Sequence, residues 1–276
     1  DGGAYLLPRL VGIGKALVLR AEHPEVPFHM GPSVGKGLKV IKLQPAPSVA
    51  FAIKKKDGSE RLLERSALRD IVVQRYLLTT VSDVFDRFFE ESSIGYRKGI
   101  SRKDAIDIVR SALTDGYEWV VESDVSDFFP SVDRGALHAR LCELLPSGDA
   151  FMAGLLVKAV SNGYVLGGEL KLRHRGLPQG NMLSPVLANV HLDIFDERMK
   201  ARGARLARYA DDFIIMARTR EEAEGLLSAC EEELSGLRLS INKEKTAIRR
   251  ADEGFEFLGI TFNGKETEVE SEEDFS

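Results

Sequence analysis

The chain has 276 residues, is 43% hydrophobic and 29% charged, and carries a formal net charge of −5. That composition excludes collagen-like, low-complexity and disulfide-scaffold chains, and supplies enough apolar material for one large core or two smaller ones. No apolar run approaches the roughly 20 residues needed to cross a bilayer, so no membrane role is expected.

In chain order, residues 1–45 are Gly- and Pro-rich with short apolar pieces, and they read as a basic extension whose fold is not legible. Within them Gly31-Pro32-Ser33-Val34-Gly35-Lys36-Gly37 hints at a phosphate loop. The spacing fails and no Ser or Thr follows Lys36, so a plain basic loop is the better reading. Residues 49–64 read as a hairpin turning at Asp57-Gly58. Residues 69–89 have the apolar period of an amphipathic helix, and Ser101 with Asp104 marks the start of another. Residues 118–125 are strand-like, Asp133 caps a helix towards Leu145, and a middle helix covers about 151–161. A hairpin follows at 163–173, a Pro178/Gly180 loop, and a helix from Pro185 to Met199 with Gly203 as its stop.

Strands at 206–209 and 213–216 enclose Ala210-Asp211-Asp212, so two acids sit at a hairpin tip. A Thr219–Glu222 capping box opens the next helix, and strand-like pieces at 237–241 and 255–262 close the pattern. The last residues are acidic and read as a tail or linker, while the stretch 36–65 is basic. The net charge therefore conceals a gradient, and phosphate binding depends on local basic surface. The order predicts an α+β fold, a small antiparallel sheet with helices on one face. Cys142 and Cys230 have no metal-binding spacing and suit a reducing, cytoplasmic setting. The chain opens Asp1-Gly2-Gly3, without Met, which reads as a piece of a longer protein.

Asp124 ends an apolar strand, and Asp211 and Asp212 lie between two more. Ionised carboxylates beside such strands are costly unless neutralised. Mg²⁺ prefers one or two carboxylates completed by substrate phosphates, and two ions about 4 Å apart serve phosphoryl chemistry. Taken alone, Asp-Asp in a turn is more often only a polar turn.

The surrounding residues decide otherwise. Tyr209-Ala210-Asp211-Asp212 resembles the signature hairpin of reverse transcriptases, and Asp124-Val125-Ser126-Asp127-Phe128-Phe129 resembles their first acidic motif. Gly176-Leu177-Pro178-Gln179-Gly180 with Ser184-Pro185 and Ala188-Asn189, the hairpin around Lys55 and Arg61, and Phe257-Leu258-Gly259 resemble further family motifs, in the family's order. The resemblance implies a right-hand polymerase fold: fingers at 46–117, a palm at 118–264 with part of the fingers (about 134–183) inserted, and an acidic tail at 265–276. Few residues follow Gly264, so the helical thumb of the family is expected to be missing or supplied by another domain or partner.

The same resemblance implies roles. Asp124, Asp211 and the Val125 carbonyl would hold two Mg²⁺ ions, with Mn²⁺ able to substitute. Asp212 would be an accessory acid. Lys55 and Arg61 would hold the triphosphate, and Gln179 and Gly180 would lie along the incoming nucleotide. Lys245, or its neighbour Lys243, would protonate the leaving pyrophosphate. Phe129 would be a steric gate against ribonucleotides; its alternative is a core aromatic like Phe128. Arg97 would touch template, Arg173 and Arg175 would clamp phosphates or stay solvated, and Phe257, Leu258 and Gly259 would grip the primer.

The implied activity is RNA-directed DNA synthesis from an RNA template, a DNA or RNA primer and deoxynucleoside triphosphates. Within the family, Gln179 with Ser184-Pro185 and Ala188-Asn189 resembles the group II intron-like branch, and within that branch residues 124–133 and 192–196 resemble CRISPR-associated enzymes most, whose partner is a CRISPR integrase in cis or in trans. An intron maturase or other bacterial retroelement enzyme is the alternative. An inactive nucleic-acid-binding module and a metal-dependent nuclease are the rivals from other classes.

Overall fold

The computed structural model describes residues 44–54, 58, 60–145, 149–264 and 266–268. The expected N-terminal extension and Lys55 lie outside the described residues. The described residues form two compact units, the first from those within 44–84, 138–174 and 178–183, the second from those within 85–137, 175–177 and 184–268. The first break between these units falls near 84. The physical reason is that helix α2 (Arg102–Thr114) buries its apolar stripe of Ala105, Ile106, Val109, Ala112 and Leu113 in the second unit's core.

In the first unit, β1 (Ser48–Lys54) and β2 (Glu60–Arg65) form the expected hairpin, in register from Val49 opposite Arg65 to Lys54 opposite Glu60. β4 (Tyr164–Leu166) adds in parallel to β1, and β5 (Glu169–Lys171) completes the order β2-β1-β4-β5. α1 (Leu68–Phe85) follows β2, and α5 (Ala150–Ala159) precedes β4.

In the second unit, β3 (Trp119–Asp124), β6 (Arg205–Tyr209), β7 (Asp212–Ala217) and β8 (Ala247–Arg250) make an antiparallel sheet ordered β6-β7-β3-β8. Side chains alternate across a strand, which gives the sheet two buried faces here. Phe213 meets Phe195 of α6 (Ser184–Ala201), ring centroids 5.5 Å apart, and α7 (Arg220–Gly236) also packs on this sheet. Val120, Ile214 and Met216 meet α2 and the hairpin of β9 (Phe255–Phe257) and β10 (Ile260–Asn263), where Phe255 stacks on Phe262 at 4.8 Å. The expected helical layer is thus α6 and α7, and α2 with the small sheet covers the opposite face.

Short helices α3 (Phe128–Ser131) and α4 (Arg134–Leu144) follow β3. Asp133 starts α4 as expected, its Oδ1 accepting the Gly135 and Ala136 amides. α2 opens with the expected capping box of Ser101 and Asp104; Asp104 accepts from the Ser101 amide and hydroxyl, which holds the Asp104 carboxyl below its ordinary range.

Three expectations need correcting. The piece at 237–241 is no strand; Ile241 makes a single bridge to Val125, because Arg238 has φ +59° and the chain turns again at Asn242–Lys245. The strand is β8, disguised in the sequence because Arg249 extends to Glu122. The piece at 255–262 is a hairpin, with Leu258-Gly259 as its two-residue turn. The acidic end is not tail throughout: Glu266–Glu268 forms β11 antiparallel to β10, satisfying that strand's free edge. Among the described residues no helix is long and apolar enough to cross a membrane.

Candidate active site

The register of β3 against β7 builds the site. Asp124, the last residue of β3, lies directly opposite Asp212, the first of β7. Asp211 precedes it in the two-residue turn between Tyr209 and Asp212. Directly opposed residues of an antiparallel pair have Cβ atoms about 5 Å apart, and like charges there repel. Burial foremost, then Asp211 and Asp124, push the Asp212 carboxyl up to about 6, with Lys245 opposing. Three carboxylates from two stretches distant in sequence thus share one negative spot.

The turn is also strained. Ala210 has φ +61°, a conformation that glycine adopts readily and alanine does not. It is held by backbone contacts: the Val125 amide donates to the Asp211 carbonyl at 3.1 Å, and Asn242 N–H donates to the Asp124 carbonyl at 2.9 Å. Strain held by surrounding structure is typical of preorganised sites.

Lys245 Nζ lies 2.7 Å from Asp124 Oδ2, whereas Lys243 reaches outward to Glu231 at 3.9 Å. That separates the two lysines the sequence left open. Asp124 Oδ1 is buried without a hydrogen-bond partner. Among the described residues no group of three His, Cys, Asp or Glu converges tightly enough to hold an ion alone. The donor set fits Mg²⁺ nonetheless, because such ions take one or two carboxylates and complete their shell with waters and substrate phosphates. The orphaned Asp124 oxygen and the mutual repulsion at Asp212 are what a cation would relieve.

Val125 is buried, its amide committed to Asp211. Phe128 is buried and Phe129 half-buried, the rings edge-on at 5.4 Å. The two neighbours therefore separate into a core ring and a partly open one. Phe257 is buried in the core, Leu258 has φ +54° and Gly259 +76°, so this second hairpin also ends in a strained tip. Arg102 Nη1 approaches the Leu258 carbonyl at 3.4 Å.

In the first unit, Arg61 is exposed on β2. The Glu64 amide of the same strand donates to the Gln179 carbonyl at 2.7 Å, which ties the Gln179-Gly180 loop to the sheet edge. Gly180 has φ +105°, and a Cβ there would lie 2.3 Å from the Glu64 carbonyl oxygen.

Two expected phosphate contacts are spent on structure. Arg97 turns inward: it pairs with Asp86 at 2.7 Å, donates to the Glu90 and Ser93 carbonyls, and lies over the Phe89 ring. A planar fork of donors suits such convergent acceptors better than one template phosphate. Arg173 pairs with buried Glu64 and lies over Tyr164.

The sequence reading missed Arg208 and Asp196, a fully buried ion pair beneath the Asp211 turn. The signal was present: a charged residue interrupts the apolar strand Leu206-Ala207-Arg208-Tyr209, and Asp196 lies two helical turns from Asn189, on one face.

The family described as reverse transcriptase (RNA-dependent DNA polymerase) matches residues 53–262. Protein YkfC of Escherichia coli K12 is 31% identical over 255 residues, covering 78% of this chain and 66% of that protein. The group II intron-encoded protein LtrA of Lactococcus lactis is 29% identical over 59% of this chain and 27% of its own length. The retron Mx162 reverse transcriptase of Myxococcus xanthus is 29% identical over 78% and 47%. The chain thus spans at most about two thirds of these relatives. Among solved structures, apo telomerase from Candida tropicalis, truncated from its C-terminal domain, superposes with a TM-score of 0.65 at 15% identity, over 83% of this chain and 56% of that one. That likeness concerns the fold.

Proposed function

The chain belongs to the reverse transcriptase (RNA-dependent DNA polymerase) family, and from that premise we propose that it extends a primer 3′ end with deoxynucleotides on an RNA template. The observation that carries the proposal is the register that sets Asp124 opposite Asp212, with Asp211 in the adjoining turn. Asp124 and Asp211, with the Val125 carbonyl, would hold two Mg²⁺ ions, for which Mn²⁺ can substitute; bound there, the ions would activate the primer hydroxyl and stabilise the leaving oxygen.

The remaining roles fall to the chain's own groups. The bond from the 3′ oxygen to the α-phosphorus forms as the bond to pyrophosphate breaks, and the proton of the 3′ hydroxyl passes to water. Lys245, already beside Asp124, donates the proton that pyrophosphate takes up. Arg61 and Lys55 hold the triphosphate, because charge on phosphoryl oxygens is stabilised by fixed cations. Gln179 and Gly180 line the nucleotide, the open edge of Phe129 excludes a 2′-hydroxyl, and Phe257, Leu258 and Gly259 seat the primer end.

For the biological setting, residues 124–133 and 192–196 support spacer acquisition from RNA with a CRISPR integrase. The intron-encoded and retron relatives support an intron or retroelement setting instead. Finding an integrase or a maturase region beside this segment in the full-length protein separates the two.

The test is extension of a primed RNA by the full-length protein with deoxynucleotides and Mg²⁺. Metal-dependent extension is expected. Binding without extension on several templates would leave a nucleic-acid-binding module, and degradation without extension would leave a nuclease.

A further inference from the structure

Arg208 is completely buried, and so are its partners Asp196, Asn189 and Ser93. All five guanidinium N–H groups have acceptors. Nε donates to Asp196 Oδ1 at 2.8 Å, and Nη2 donates to Asp196 Oδ2 and to Ser93 Oγ, the latter at 2.6 Å. Nη1 donates to Asn189 Oδ1 at 3.1 Å and to the Ala210 carbonyl at 2.8 Å. Asn189 passes the connection on, its Nδ2 donating to the Gly95 carbonyl at 2.6 Å. Gly95 is pressed against the same turn, where a Cβ would lie 2.7 Å from the Ala210 amide nitrogen.

The network converges on Ala210, the positive-φ residue that precedes Asp211. The turn's two loop residues are therefore both gripped by their carbonyls, Ala210 from below by Arg208 and Asp211 by Val125, the residue after β3. An Arg–Asp pair at zero exposure is a poor way to add stability, since apolar residues of similar volume commonly do as well or better. What it supplies is fixed geometry: five donors in a rigid plane define one position for a carbonyl.

We propose that Arg208, braced by Asp196, Asn189 and Ser93, is a positioning residue that holds the strained Ala210-Asp211 turn in the geometry needed for metal-dependent nucleotide transfer. The proposal rests on the polymerase reading above. It assigns Arg208 no contact with substrate.

The test compares the full-length protein with a charge-free double variant, Arg208→Met with Asp196→Leu, which removes both buried charges together. The double variant is expected to fold, to lose about thirtyfold or more in kcat with KM for deoxynucleotide within about threefold, and to need more Mg²⁺ for half-activation, because small misplacement of a reacting group is costly in rate. Wild-type kcat and Mg²⁺ midpoint in the folded double variant would overturn the proposal. Should the double variant not fold, Ser93→Ala removes one acceptor and leaves the ion pair; a kcat loss of about fivefold with a raised Mg²⁺ midpoint is expected, and wild-type values of both would overturn it. Wild-type protein run in parallel separates the two failures: no extension by wild type sinks the polymerase reading, while equal extension by wild type and variant sinks only the role of Arg208.

Discussion

Replacing Gly180 by Ala perturbs the nucleotide side of the site without touching a charged group. Gly180 has φ +105°, and the added methyl would sit 2.3 Å from the Glu64 carbonyl oxygen. Neither atom can yield cheaply, because the Cβ is fixed directly to the loop backbone, the oxygen is itself backbone, and Glu64 is paired to Ala50 across the sheet. The left-handed conformation costs a non-glycine residue about 1–2 kcal/mol. The loop escapes by leaving β2, which gives up the 2.7 Å hydrogen bond from Glu64 to Gln179, about 1 kcal/mol more.

The productive loop geometry then lies roughly 3 kcal/mol above the relaxed one, which is on the order of a hundredfold in its population. Single-nucleotide addition kinetics should show kcat/KM for deoxynucleotide falling by about that factor. Gly203→Ala is the control: its φ is +79° but no atom lies within 4 Å of the added carbon, so stability falls and nucleotide kinetics hold. Unchanged kcat/KM in Gly180→Ala would refute the assignment of this loop to the nucleotide.

Phe129→Ala should admit ribonucleotides in competition assays, since it removes the half-open ring, and unaltered sugar selection would count against the gate. Lys245→Ala should lower kcat by about 10²-fold or more, the usual worth of a general acid, while Lys243→Ala leaves it near wild type; equal effects in the two variants would remove Lys245 from the chemistry. His191 is buried, its Nε2 lacks a hydrogen-bond partner, and burial pushes its pKa down to about 4. The unfolded chain therefore binds the extra proton first, so this contribution is complete above about pH 6.5 and is lost as pH falls towards 4. Denaturant unfolding at pH 7 and pH 5 should differ by about 2 kcal/mol on its account, and His191→Asn should flatten that slope; an identical slope in the variant would show the group is not buried neutral.

What the sequence made legible was local chemistry and what it hid was pairing. Asp133, Thr219 and the Asp211-Asp212 tip announce themselves because cap and turn residues have a local chemistry of their own. β8 was hidden because Arg249 reads as surface until Glu122 of the neighbouring strand is known. The hairpin at 255–263 was hidden because Leu258 occupies a turn position that sequence rules assign to Gly or Asn. Arg97 and Arg173 carry the residue type of a phosphate contact, but their destinations, Asp86 and Glu64, lie at separations no periodicity reveals. The motif residues around the three aspartates were readable; the buried Arg208 network beneath them needed three dimensions.

The account stands on carboxylates from β3 and the β6–β7 turn acting on one metal-bound reaction. The direct measurement is the rate of deoxynucleotide addition by full-length Asp124→Asn and Asp211→Asn proteins across a Mg²⁺ titration. Each variant should remain folded and lose about 3 kcal/mol or more of transition-state stabilisation, roughly a hundredfold or more in rate, at every Mg²⁺ concentration. Wild-type rates in either folded variant would contradict it.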